Sequence, residues 1–289
     1  MMMHQNYKGG TCRTKNAMYN DMKRAIVMGA TSGIGKEVAL LLAKKGWQVG
    51  IAGRRVDRLK EVMRQLPCLD NTYNNGSGGI VCYKQIDVTS TQAPGLLSEL
   101  IADLGGMDLY FHSSGIGWQN NHLDIEKELD TIETNGTGFV RMVDTAYNWF
   151  AQQYEKKTKE NAANMPASHS TMRRIACITS IAGTKGLGAA PAYSATKRFQ
   201  SHYMECLSQQ ARMRHLPIAI TDIRPGFVKT DLIASGHYPL QLDAKTVATH
   251  IVRAIEHGKE VTIIDWRYAI LVFFWQLIPR WIWTRLRIR

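Results

Sequence analysis

Short apolar runs alternate with longer amphipathic stretches from Lys23 to Asp265, and that alternation leaves few folds open. The runs RAIVMG (24–29), QVGIAG (48–53), IVCYKQIDV (80–88), MDLYFHSSG (107–115), RIACITS (174–180), PIAITDI (217–223) and EVTIID (260–265) read as strands. Between them, helical periodicity runs over 34–47, 56–66, 94–106, roughly 130–157, the segment from Tyr193 through Leu207, and 243–258. A parallel strand pair needs a long crossover, and helices of this length supply it. Right-handed crossovers then wind the sheet outward in both directions. The sequence predicts an α/β fold: a single doubly wound parallel sheet of about seven strands flanked by helices, in one domain over residues 22–265.

Residues 1–21 are polar and aperiodic, without the apolar stretch of a signal peptide. They read as a disordered or extraneous extension, with Met22 a candidate start. NTYNNGSGG (71–79) reads as a surface loop and KKTKENAANMPASHSTM (156–172) as a polar insertion. The net charge of +12 is partly a property of the C-terminus, where Arg267, Arg280, Arg285, Arg287 and Arg289 follow the last acidic residue, Asp265. No Lys/Arg block with interleaved aromatics occurs in the body of the chain, which argues against nucleic acid as a partner. The five cysteines are scattered, with no Cys-x-x-Cys and no Cys/His cluster. No metal site is expected, and a reducing, cytoplasmic compartment fits.

GATSGIG (29–35) joins the first strand to the first helix. Gly29 permits a tight turn, while Gly33 and Gly35 let the backbone approach a pyrophosphate seated on the free N–H groups of the helix. Ser32 and Ile34 complete this loop. Its plainer reading is a strand-to-helix turn with no ligand. The second strand ends in Gly53, Arg54 and Arg55. A site for NAD places an acid here to hold the ribose 2′-hydroxyl, whereas guanidinium groups pair with a 2′-phosphate. NADP(H) is therefore the expected cofactor. The competing reading, two arginines on a solvated helix N-terminus, works against the helix dipole.

YSATK sets Tyr193 and Lys197 four apart. The spacing alone is weak, because Tyr19 and Lys23 share it. The distinguishing feature is an ordered series: GATSGIG, IDVT (86–89), a Gly turn after the fourth strand, ETNGTG (133–138), ITSIAG (178–183), YSATK and RPGFVKT (224–230). With these motifs in this order, the chain resembles the short-chain dehydrogenases/reductases over about residues 23–265.

That resemblance implies a Rossmann-type fold and hydride transfer between a nicotinamide and a ketone or secondary alcohol. It implies a catalytic set of Asn135, Ser180, Tyr193 and Lys197. Tyr193 would be the general acid/base, and Lys197 would lower its pKa and hold the nicotinamide ribose. Ser180 would hydrogen-bond the carbonyl oxygen, and Asn135 would hold a water linking Lys197 to bulk solvent. Asp87 and Val88 would contact adenine, Gly115 the cofactor ribose, and Pro225, Gly226, Val228 and Thr230 the nicotinamide carboxamide. Taken singly, Ser180 could end a strand, Asn135 cap a turn and Tyr193 fill the core. The family is commonly dimeric or tetrameric, so a homodimer or homotetramer is expected.

One departure stands out. The family usually reads Asn-Asn-Ala-Gly after the fourth strand, and this chain reads HSSG from His112 to Gly115. His112 and Ser113 must then brace the sheet differently. A hydrogen-bonded core histidine is the expected state of His112, and a catalytic role is the alternative.

The tail, WRYAILVFFWQLIPRWIWTRLRIR (266–289), carries four of the seven tryptophans. Its apolar run from Tyr268 to Ile278 is shorter than the ~20 residues that span a bilayer. Aromatic bulk beside arginines suits a segment lying on a cytoplasmic membrane face, with contact to a partner subunit or to the substrate cleft as the alternative. Leu232, Ile233, Tyr238 and Leu240 in DLIASGHYPLQLD (231–243) add apolar bulk near the site. Both features point to a lipophilic ketone or alcohol, such as a ketosphingoid base or a steroid. The opposing class is a catalytically idle NADP-binding module that docks to membranes or proteins. A degraded catalytic set would mark it, and all four groups are intact.

Overall fold

Each apolar run forms a strand: β1 (Arg24–Met28), β2 (Gln48–Gly53), β3 (Gly79–Gln85), β4 (Leu109–His112), β5 (Arg173–Ile178), β6 (Ile218–Pro225) and β7 (Val261–Ile264). This is a computed structural model, and it describes residues 23–65, 78–161, 172–231 and 240–286. The 1–21 extension, Met22, the 71–79 loop up to residue 77, most of the polar insertion, and Leu232, Ile233 and Tyr238 lie outside the described residues.

The strands form one sheet in the order β3-β2-β1-β4-β5-β6-β7, and every pair is parallel. The fold is Rossmann-like, as the alternation predicts. Helices α1 (Gly33–Lys44), α2 (Val56–Gln65), α3 (Ala93–Leu104), α4 (Ile125–Ile132), α5 (Phe139–Asn161), α6 (Pro191–Met213) and α7 (Ala244–Glu256) follow in turn. Side chains alternate along β1, so Ala25 and Val27 enter one core while Ile26 and Met28 enter the other. The first core joins the sheet to α1 and α7 through Val38, Leu42, Val247 and Ile251. The second joins it to α3, α5 and α6 through Leu97, Phe139, Phe150 and Met204. Strand order reverses between β1 and β4, which opens a crevice at their C-terminal ends, the place where such sheets bind ligands.

Two elements depart from the predicted pattern. The third strand stops at Gln85, because the Asp87 carboxylate accepts hydrogen bonds from the Thr89 N–H (3.0 Å) and hydroxyl (2.8 Å) and turns the chain away. The helix expected over 130–157 is two helices, α4 and α5, joined by a π-helical turn at Glu133–Gly138 that contains Asn135 and two glycines.

The tail is helical. Helix α8 (Trp266–Leu277) and the single turn α9 (Arg280–Trp283) are separated at Ile278, whose extended backbone is what a following proline demands. Tyr268 and Val272 of α8 are buried in the first core. No helix among the described residues is long and apolar enough to cross a membrane.

Candidate active site

The GATSGIG loop follows β1 with Gly29 at φ +85° and Gly33 at φ +55°, left-handed conformations that favour glycine. A β-carbon on Gly35 would lie 2.2 Å from the Gly29 carbonyl oxygen, so the first turn of α1 folds directly onto the loop. The result is a glycine-lined cradle facing the free N–H groups of α1, shaped for a phosphate. Thr230 closes it, its side chain lying over Gly33.

Arg55 crosses this cradle. Its Nη2 donates to Thr31 Oγ1 and Ser32 Oγ, both at 2.8 Å, and Nη1 lies 3.4 Å from Asp231. Arg54 is exposed beside it, at the start of α2. A dinucleotide would fit this arrangement, with its pyrophosphate in the cradle, and the Arg55 guanidinium sits just past the end of β2, on the side where its ribose would lie. Asp87 and Val88 line the next turn along, and Arg141 holds it by donating to the carbonyls of Val88 (3.0 Å) and Thr89 (2.9 Å).

At the other end of the crevice, β5 runs out through Thr179 into Ser180, which caps a short 3₁₀ turn. Ser180 Oγ accepts from the Ala182 N–H at 3.0 Å, which leaves the hydroxyl hydrogen free to donate. Helix α6 begins at Pro191 and carries Tyr193, Thr196, Lys197 and Gln200. Residues 193, 197 and 200 share one face, and that face meets the ends of β4 and β5. The Lys197 ammonium lies 5.7 Å from the Tyr193 ring centre. Gly117 packs under that ring, where a β-carbon would come within 2.3 Å. Gly115 lies beside Asn135 and the Lys197 amine.

The polar atoms of Asn135 are already engaged. Its side chain accepts from the Ile116 N–H (3.0 Å) and donates to the Ile116 carbonyl (2.7 Å), pinning the turn after β4. Its main-chain carbonyl accepts from Gln200 Nε2 at 2.8 Å. The Oε1 of the same amide accepts from Lys197 Nζ at 2.9 Å. The fully buried Gln200 thus links Asn135 to Lys197. The sequence carried one signal for it, a polar residue on the inner face of an amphipathic helix.

Burial pushes the Tyr193 phenol above its usual value, and the hydrogen bond with Ser180 opposes that rise. Burial draws the Lys197 amine down to about 8, against the pull of Cys177 and Asp222, and its hydrogen bonds run to the Ile178 carbonyl (3.0 Å) and Gln200.

His112 is buried, with Nδ1 2.9 Å from the Tyr110 hydroxyl and its ring edge-on to Phe139. Burial lowers its pKa to about 3, so it is neutral and serves the core. Pro225 ends β6, Gly226 and Val228 follow it, and the Tyr268 ring lies over Gly226. Contact between the tail and the substrate cleft is one of the alternatives the sequence leaves open, and no local signal singles out Tyr268 to make it. Its hydroxyl accepts from the Phe227 N–H (3.2 Å) and donates to the Leu240 carbonyl (3.0 Å). Among the described residues no cluster of His, Cys, Asp or Glu is arranged to hold a metal.

Comparison with known proteins agrees with this geometry. The family model described as short chain dehydrogenase matches residues 23–237. An uncharacterized oxidoreductase of Myxococcus xanthus is 28% identical over 262 residues, covering 89% of this chain and 93% of its own. Dehydrogenase/reductase SDR family member 7B of Rattus norvegicus is 28% identical over 289 residues, covering 93% and 81%. Among solved structures, a short-chain dehydrogenase from Sphingobium yanoikuyae in complex with NADPH superposes with a TM-score of 0.69 at 18% identity, covering 92% of this chain and 97% of that one. An alcohol dehydrogenase from the archaeon Thermococcus sibiricus, complexed with 5-hydroxy-NADP, gives 0.66 at 20% identity, covering 84% and 96%.

Proposed function

The chain belongs to the short-chain dehydrogenase/reductase family, and from that premise we propose that it is an NADP(H)-dependent oxidoreductase interconverting a lipophilic ketone and its secondary alcohol. The observation that carries the reading is the meeting of Ser180, Tyr193 and Lys197 at the C-terminal ends of the strands, beside the glycine cradle. In this reading residues 22–265 form the catalytic domain and 266–289 a docking tail.

A nicotinamide bound along the crevice supplies or takes up the hydride. The chain's own groups handle the oxygen and the proton. With its acceptor side held by Ala182, Ser180 donates to the substrate oxygen and polarises the carbonyl. In reduction, Tyr193 gives its phenolic proton to the oxygen as negative charge builds there; in oxidation the tyrosinate takes that proton back. Lys197 spends two of its three N–H donors on Ile178 and Gln200, leaving one for the tyrosinate or the cofactor ribose. Asn135 fixes the Gly115–Ile116 turn against which the ribose rests.

Arg55 on Thr31 and Ser32 supports NADP(H) over NAD(H), since a 2′-phosphate finds a ready counter-ion there. A lipophilic substrate is supported by the apolar tail bordering the site. Exposed Leu129 and Ile132 of α4 and Phe199 of α6 support assembly into a homodimer or homotetramer. The unpaired Cys82, Cys177 and Cys206 support a reducing, cytoplasmic setting.

The test is a panel of lipid ketones and secondary alcohols with NADPH and NADP⁺, read at the nicotinamide absorbance. Tyr193→Phe should cut turnover by roughly a hundredfold or more while NADPH binding persists. Full turnover in Tyr193→Phe, or NADPH binding without turnover of any ketone or alcohol, would overturn the reading.

A further inference from the structure

Helix α8 is apolar all round its circumference: Arg267 and Gln276 are its only strongly polar residues. Such a helix is normally covered on all sides. Here only one side is covered, by packing of Tyr268 and Val272 into the core. The opposite side faces outward, with Trp266 71%, Phe273 59%, Phe274 61% and Leu277 65% exposed. Helix α9 extends the surface with Trp281, 65% exposed. Water alone is a poor neighbour for so much contiguous aromatic and aliphatic surface.

Charge indicates what covers it. Arg280 and Arg285 are exposed around the patch, and Arg285 stacks on Trp281 with its guanidinium carbon 5.9 Å from the ring centre. No acidic residue follows Asp265 in the sequence. A symmetric contact between two copies would bring arginine toward arginine with no carboxylate in the segment to pair with them. An anionic lipid surface meets both demands: headgroups for the arginines and acyl chains for the aromatics. At 12 residues, α8 is about 18 Å long, against a bilayer core of about 30 Å, so it lies along the surface rather than across it.

The patch is also fixed to the rim of the catalytic crevice. Lys185 Nζ donates to the Ile278 carbonyl and Trp283 Nε1 donates to the Gly186 carbonyl, both at 2.7 Å. Lys185 and Gly186 lie on the loop between Ser180 and Tyr193. From α8, Tyr268 holds Phe227 and Leu240 on the other side of the same rim. We infer that the outward face of α8 and α9 docks the protein on an anionic membrane surface, with the rim of its active site held against the lipid. Entry of a lipophilic substrate from the bilayer rests in addition on the proposed function; the docking itself does not.

The test uses the full chain and vesicles of phosphatidylcholine, either pure or with about one third phosphatidylglycerol. The protein should sediment with the anionic vesicles and bind pure phosphatidylcholine at least about tenfold more weakly, with about 0.5 M salt weakening the anionic binding. The double variant F273S/F274S should lose at least about tenfold in vesicle affinity while keeping wild-type turnover of a short soluble ketone. Lipids brominated along the acyl chain should quench tryptophan fluorescence of the unaltered protein, which tests insertion without any substitution. Absence of sedimentation and quenching with anionic vesicles would overturn the proposal. So would unchanged vesicle binding by the variant, or a variant that loses an oligomer in light scattering while the wild type ignores vesicles. Activity on the soluble ketone reports separately on the catalytic reading.

Discussion

Lys197 donates to Gln200 at 2.9 Å, and the same amide reaches on to the Asn135 carbonyl at 2.8 Å. An amide carries no titratable proton, so this bridge positions the lysine without passing protons along it. It also favours the charged lysine, because Oε1 can only accept. That matters because burial has already drawn Lys197 down to about 8. The lysine is charged below that pH and neutral above it. Ketone reduction needs the charge to stabilise the forming tyrosinate, so its kcat/KM should fall as pH rises through about 8. Gln200→Leu removes the acceptor, which lowers the lysine pKa further and moves the fall to lower pH by roughly one unit. A pH profile of kcat/KM for both proteins checks this; superimposable profiles would show that Gln200 does not hold the charge.

Arg55 spans Thr31 and Ser32 at the end of the cradle. Arg55→Glu places a carboxylate where a 2′-phosphate would lie. NADPH affinity should fall roughly 10- to 100-fold, the scale of a charge-assisted pair turned into a repulsion. NADH affinity should hold or improve, because a carboxylate can accept from a ribose 2′-hydroxyl. Titrating both cofactors by nicotinamide fluorescence measures the ratio, and a parallel loss for the two would remove Arg55 from the discrimination.

Much of the fold was legible in the sequence, because parallel pairing and double winding follow from strands alternating with crossover helices, and that alternation is written in hydrophobic periodicity. The glycine cradle and the Tyr193–Lys197 face were legible for a similar reason: each is a local spacing. What escaped were contacts between distant segments. Gln200 reaches Asn135 across 65 positions, and nothing local marks that pairing. Tyr268 reaches Leu240 and Phe227 from a tail whose composition leaves membrane, partner and cleft contact all open. Spacing also fixes which face of α6 Lys197 occupies but not where its amine points. That direction depends on the Ile178 carbonyl at the end of β5, 19 positions before Lys197.

Gly117 is the floor under the Tyr193 ring. A β-carbon there would stand 2.3 Å from the ring, on rigid neighbours. Gly117→Ala should therefore displace the phenol. A shift of about 1 Å at a proton-transfer group costs on the order of a hundredfold in rate. Cofactor affinity should change little, since the glycine cradle lies on the β1 side of the crevice. Steady-state kinetics beside NADPH titration separates the two effects; wild-type kcat would mean the ring has room to move.

Tyr268 couples the tail to the site, and its two functions can be pulled apart. Its ring fills core space over Gly226, where a β-carbon would lie 2.3 Å away, and it is 1% exposed. Tyr268→Ala empties that space and should cost roughly 3–5 kcal/mol of stability, as large aromatic deletions do. Tyr268→Phe keeps the ring but strips the hydroxyl from the Phe227 N–H and the Leu240 carbonyl. The loss of stability should then be about 1 kcal/mol, the ordinary net value of such bonds. The turn from Pro225 to Thr230 nonetheless loses a brace, so KM for the cofactor should rise several-fold in Tyr268→Phe while its urea midpoint falls far less than that of Tyr268→Ala. Urea unfolding of both variants, set against cofactor KM, tests the separation. If Tyr268→Phe leaves KM at the wild-type value, the tail stabilises the fold without shaping the cofactor site.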